Sequence, residues 1–83
     1  MPTVFRHEGF RFHFFSNEGV PPEPPHVHVK CGDQEAKIWP RPEIAVAESF
    51  GLNAAELNAL VRLVRRERSR IERAWNEHFG HGR

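Results

Sequence analysis

The residues best suited to chemistry in this chain are His26 and His28, in the segment Pro24-Pro25-His26-Val27-His28-Val29. They stand at i and i+2, so on a β-strand their imidazoles share one face. Two such rings can give two ligands to a divalent metal ion such as zinc, with a third from elsewhere. His13 on a neighbouring strand is the candidate third ligand, with Glu35 as the alternative. A histidine beside Lys37 can instead act as a general base near neutral pH. Either use would suit a small nuclease or a metal-dependent hydrolase, and metal binding alone would suit a regulator without catalysis. The plainer reading is a pair of polar residues on the exposed face of a half-buried hairpin. The rigid Pro24-Pro25 lead-in would pre-organise a site. No Ser/His/Asp order and no glycine-rich phosphate loop accompanies the pair, so whether the chain is an enzyme stays open.

A second group suits binding. Arg62, Arg66, Arg70 and Arg73 fall within about a quarter-turn of one another at 100° per residue on a helix. A line of guanidinium groups fits a phosphate backbone or an acidic partner protein. The competing reading is a solvated helix face tempered by Glu72 and Glu77, each four residues after an arginine. Trp39 lies on the polar side of the histidine hairpin, where it is either an exposed tryptophan of the kind favoured at interfaces or one covered by the proline loop or the helix end. Cys31 falls on the apolar side, where it reads as core rather than nucleophile.

These groups need a scaffold. His26 to Cys31, then Gly32-Asp33, then Gln34 to Trp39 reads as two strands joined by a two-residue turn. That register pairs Cys31 with Gln34, Lys30 with Glu35, Val29 with Ala36, His28 with Lys37, Val27 with Ile38 and His26 with Trp39. It sorts Val27, Val29, Cys31, Ala36 and Ile38 onto one face, and a one-residue slip would destroy the sorting. Upstream, Phe10, Phe12 and Phe14 point one way, while Arg11, His13 and Phe15 point the other. Thr3 to Arg6 suits a short preceding strand, with a turn at Gly9. The proline loop 21–25 is too proline-rich for helix or central strand. Pro40 and Pro42 end the hairpin, and Ile44 to Val46 suits a last short strand or turn.

Asn53 with Glu56 forms a variant capping box. From there Leu57, Leu60, Val61, Val64, Ile71, Trp75 and Phe79 hold one helical face, and Gly80 ends it. A helix over 53–79 would run about 40 Å, whereas a domain of this size is about 30 Å across. The helix must overhang, kink or break, and Arg65 to Arg70, which lacks any apolar residue, is the place for it.

The fold class that follows is α+β. A small antiparallel sheet of three to five strands carries a long C-terminal helix on its apolar face. The expected core is Phe10, Phe12, Phe14, Val27, Val29, Ile38, Leu57, Leu60, Val64 and Ile71. The whole of 1–83 reads as a single domain: a β-rich part over 1–47 and the helix over 53–79.

Composition narrows the function. The formal net charge is +1, with 28% charged residues, so no overall field draws the chain to nucleic acid or anionic lipid. One cysteine excludes an internal disulfide and a cysteine-rich zinc site. A small domain without disulfide staples points to a reducing, cytoplasmic setting. Met1 to Phe15 holds no apolar run of signal-peptide length, and no stretch is apolar enough to span a membrane. An exposed sheet edge would allow a homo-oligomer or pairing with a partner strand.

Several of these segments resemble the bacterial family called domain of unknown function 4160. They are Met1-Pro2-Thr3, Phe12 to Ser16, Pro24 to Val29, Gly32 with Ala36, and the helix reaching Trp75. Pro-Pro-His-x-His is the most specific part of the match, which runs over nearly the whole chain. The proline loop is longer here, and the helix richer in arginine, than is typical. The resemblance implies a small protein encoded beside a second small partner protein, in an arrangement like a toxin–antitoxin pair. It implies no reaction, and it marks Pro25, His26 and His28 as motif positions without a role.

Overall fold

Five strands follow one another in the order in which they pair. A computed structural model describes residues 3–15 and 24–79. The strands are β1 (Thr3–His7), β2 (Phe10–His13), β3 (Val27–Cys31), β4 (Gln34–Trp39) and β5 (Ala45–Phe50). Each pairs antiparallel with its sequence neighbour, so the sheet is a five-stranded meander. Two helices complete the chain, α1 (Ala54–Arg66) and α2 (Arg68–Phe79). The fold is α+β, as the sequence implies. Ser16, most of the proline loop (21–23) and Gly80 lie outside the described residues.

Turn chemistry sets the two tight hairpins. Glu8 and Gly9 both have positive φ, 50° and 86°, as a two-residue type I′ loop requires. Gly32 alone is positive in the second loop, at 58°, which fits a loop of type II′. The β3–β4 register is the expected one: Val27 with Ile38, His28 with Lys37, Val29 with Ala36, Lys30 with Glu35, and Cys31 with Gln34. Strand β5 runs on to Phe50, beyond the short segment expected. Its Ala-Val-Ala-Glu run carries no alternation to reveal it, and all six of its residues are exposed at the sheet edge.

One face of the sheet is the core. Phe5, Phe12, Phe14, Val27, Val29, Ala36 and Ile38 are buried against Leu60, Leu63, Val64, Ile71 and Trp75 of the helices. Phe5 and Phe12 are directly paired and their rings stack at 4.4 Å. Phe10 and Leu57, expected in the core, pack against it only partly buried. The expected core omitted Phe5, Ala36, Leu63 and Trp75, which complete it.

The single long helix of the sequence reading is corrected to two. Asn53 caps α1 through a complete capping box: its side chain accepts from the Glu56 N–H at 2.8 Å, and the Glu56 carboxylate accepts from the Asn53 N–H at 2.9 Å. The helical path breaks at Glu67, whose φ and ψ of −101° and 15° leave the helical well. This lies inside the Arg65 to Arg70 run. A molecule 37 × 24 × 20 Å cannot keep a straight helix of about 40 Å on its sheet. Breaking it keeps Ile71 and Trp75 on the core. No described helix is long and apolar enough to cross a membrane.

Candidate functional site

Three surfaces collect the chemistry-bearing residues. The first lies on the helix side. Arg62, Arg65 and Arg66 of α1 and His7 at the end of β1 rim a groove of about 610 Å³, and Phe10, Leu60 and Leu63 lie in its wall. The arginines line up because positions 62, 65 and 66 share one side of the helix. Glu8 and Glu56 also border the groove. Glu56 is held by the capping box and by Gln34, whose amide donates to its carboxylate at 3.3 Å.

The expected arginine line does not continue evenly past the break. Arg62, Arg66, Arg70 and Arg73 are all exposed. Glu67 sits at the junction, with its carboxylate 3.7 Å from Arg66 Nε and 3.7 Å from an Arg70 terminal nitrogen. The Arg70 guanidinium also lies 4.8 Å from the centre of the Phe5 ring. The groove therefore takes Arg62 and Arg66 from that line, and adds Arg65, which a search for a single straight stripe passes over.

The second surface is the histidine cluster at one end of the sheet. His26 precedes β3 and is 1% exposed. Its Nδ1 donates to the Pro24 carbonyl at 3.2 Å. A carbonyl can only accept, so Nδ1 carries the proton. Its ring lies 4.9 Å from Trp75 of α2, 5.1 Å from Trp39 and 5.1 Å from His28. Trp39 is half-buried between His26 and the Lys37 ammonium, which lies 4.9 Å from its ring centre. His13 is buried and pairs in register with His28, their rings stacked at 5.7 Å. The structure thus brings His13, His26 and His28 into one neighbourhood. Stacked rings turn their faces rather than their nitrogens to each other. Among the described residues no three His, Cys, Asp or Glu side chains are grouped to hold a metal ion.

The third surface is the sheet face away from the helices. Because directly paired residues share a face, the registers read out as rows. One row crosses all five strands as Arg6, Arg11, Lys30, Glu35 and Phe50. The next runs Thr3, His13, His28, Lys37 and Glu48. Phe15 follows β2, 40% exposed, with its ring 4.2 Å from His28. Two concavities of about 460 and 330 Å³ lie on this face, and Phe15 and His28 line both. The sequence does place Arg11, His13 and Phe15 together, and His28, Lys30 and Lys37 together. That both sets share one face depends on the β2–β3 register.

No curated protein and no solved structure matches the chain. The model of the family described as Domain of unknown function (DUF4160) matches residues 9–76, a span that contains β2 to β5, α1, most of α2 and the whole Pro-Pro-His-x-His segment. The chain belongs to that family.

Proposed function

We propose that this chain is a binding component of a two-protein, toxin–antitoxin-like pair, and that it takes an acidic segment of its partner protein in the groove between α1 and the β1–β2 turn. The observation that carries this reading is the groove itself. Arg62, Arg65 and Arg66 stand around an apolar wall of Phe10, Leu60 and Leu63. Guanidinium groups pair with carboxylates in a fixed fork, and an apolar wall beside them suits the anchor side chains that dominate interface energy. Among the described residues Arg62 and Arg65 make no ion pair, which leaves their charge to a partner. The family setting supplies the idea of a small partner encoded nearby.

The enzymatic alternative, a nuclease or hydrolase using His26 and His28, has less support. A catalytic acid or base must reach its substrate. His26 is buried between two tryptophans and bonded to Pro24, an arrangement that suits holding the end of the sheet to α2.

Co-expression with the product of the neighbouring gene tests the proposal. The two should co-purify at fixed stoichiometry, and Arg62→Glu with Arg66→Glu should abolish the complex while thermal unfolding stays cooperative. A complex that survives the double reversal would place the partner elsewhere.

A further inference from the structure

We infer that β5 is a self-pairing edge: two copies of this chain join their β5 strands antiparallel about a two-fold axis, so that their sheets become one. The inference does not rest on the partner groove, which lies between α1 and the β1–β2 turn.

Among the described residues β5 pairs only with β4. Its outer side therefore presents backbone N–H and C=O groups in a row, a template for a further strand. All six of its residues are exposed, with Val46 at 37% and Phe50 at 68%. Edges are commonly protected by lysine or proline. Strand β5 holds neither, and Glu48 is its one charged residue. The opposite edge, β1, carries Arg6 and His7.

Only one antiparallel pairing uses the whole strand. It sets Ala45 against Phe50, Val46 against Ser49 and Ala47 against Glu48. A regular strand could not pair with itself in this way, because residues an odd number of positions apart point to opposite faces. Strand β5 is irregular. Lys37 pairs with Glu48 and Ile38 with Val46, which leaves Ala47 as an extra, bulged residue. The bulge makes the faces match. Ala45 and Phe50 lie on the open face with Trp39 and Glu35, and Val46 and Ser49 lie on the helix side with Ile38 and Ala36.

Size and charge fit a second copy in this register. The large Phe50 meets the small Ala45, on both sides of the axis. Glu48 stands opposite Ala47 rather than another carboxylate. Beyond that Ala47, on the next strand, is Lys37 of the second copy. It lies two strand spacings from Glu48, about 9.6 Å, within the joint reach of a lysine and a glutamate across a small residue. Each Glu48 is thus flanked by its own Lys37 and by that of the second copy. A single strand pair is small beside the roughly 1,200–2,000 Å² of a stable complex, so the dimer forms in a concentration-dependent equilibrium.

Sedimentation velocity of the whole chain at rising concentration tests the inference, and a monomer–dimer equilibrium is expected. Ala45→Lys fills the seat of Phe50 and should weaken the dimer about tenfold or more, the scale of losing an interface anchor. Phe50→Ser makes the same test from the other side of the contact should Ala45→Lys disturb the fold, and circular dichroism melting checks each variant. Cross-linking in a Cys31→Ser background reads the register. Val46→Cys with Ser49→Cys should oxidise to a covalent dimer, whereas Ala45→Cys with Ser49→Cys, on opposite faces, should not. Arg62→Glu with Arg66→Glu should leave the dimer unchanged, which separates this edge from the partner groove. A chain that stays monomeric at every concentration overturns the inference. So do assemblies larger than a dimer, or a dimer indifferent to both β5 substitutions. Protection of β5 amides from hydrogen exchange only after the partner protein is added would also overturn it, and would give the edge to a partner strand.

Discussion

The two faces of the sheet use the same strands and the same alternation, yet they are built to opposite ends. On the helix side, Phe12, Val27, Ile38, Val64 and Ile71 are fully buried. Each such side chain contributes about 1.5–3 kcal/mol on leaving water. On the other side, Arg6, Arg11 and Lys30 stand shoulder to shoulder, and Phe15 and Phe50 remain exposed. The first face is where the fold gains its stability. The second instead keeps charged and aromatic side chains at the surface, where they add little to the core. The histidine cluster lies where the two faces meet: His26 touches Trp75 from the core layer and His28 from the open face.

Three substitutions separate the faces by the size of their effect. The largest belongs to the core. Phe12→Ala should cost about 3–5 kcal/mol in denaturant unfolding, enough to leave a domain of this size marginal; a loss below about 1 kcal/mol would mean that the helices do not depend on this face. An intermediate effect belongs to the helix layer. Asn53→Ala removes one arm of the capping box and should lower stability by about 1 kcal/mol. No change in the urea midpoint would show that packing alone starts α1. The smallest effect has the opposite sign. Arg6→Gln relieves a like-charge pair on the open face and should raise stability by a few tenths of a kcal/mol. A clear drop in the midpoint would mean that Arg6 serves the fold, and the contrast between the faces would weaken.

Much of this was legible in the residues. The β3–β4 hairpin was readable pair by pair, because Gly32-Asp33 names the turn and only one register sorts Val27, Val29, Ala36 and Ile38 onto one side. The capping box at Asn53 was readable because its two hydrogen bonds are local. Length and the apolar gap at Arg65 to Arg70 mark where the helix must overhang, kink or break, without deciding among the three. The break itself, its location at Glu67, and the ion pairs that draw Arg66 and Arg70 to it were not legible. An angular count along an ideal helix carries no information once the axis changes direction. Strand β5 was half missed because an edge strand exposed along its length has no buried alternation to betray it.

Local sequence thus determined what depends on neighbours along the chain: turn type, hairpin register, helix start and the apolar side of each segment. Tertiary structure decided what depends on joining segments that are distant along the chain. The length of the segment between β2 and β3 does not specify which residues pair, so only the folded sheet sets Arg11 beside Lys30 and His13 beside His28. Only the docking of α2 encloses His26 between Trp39 and Trp75. Periodicity reports which way a side chain points, whereas long-range packing determines what it meets.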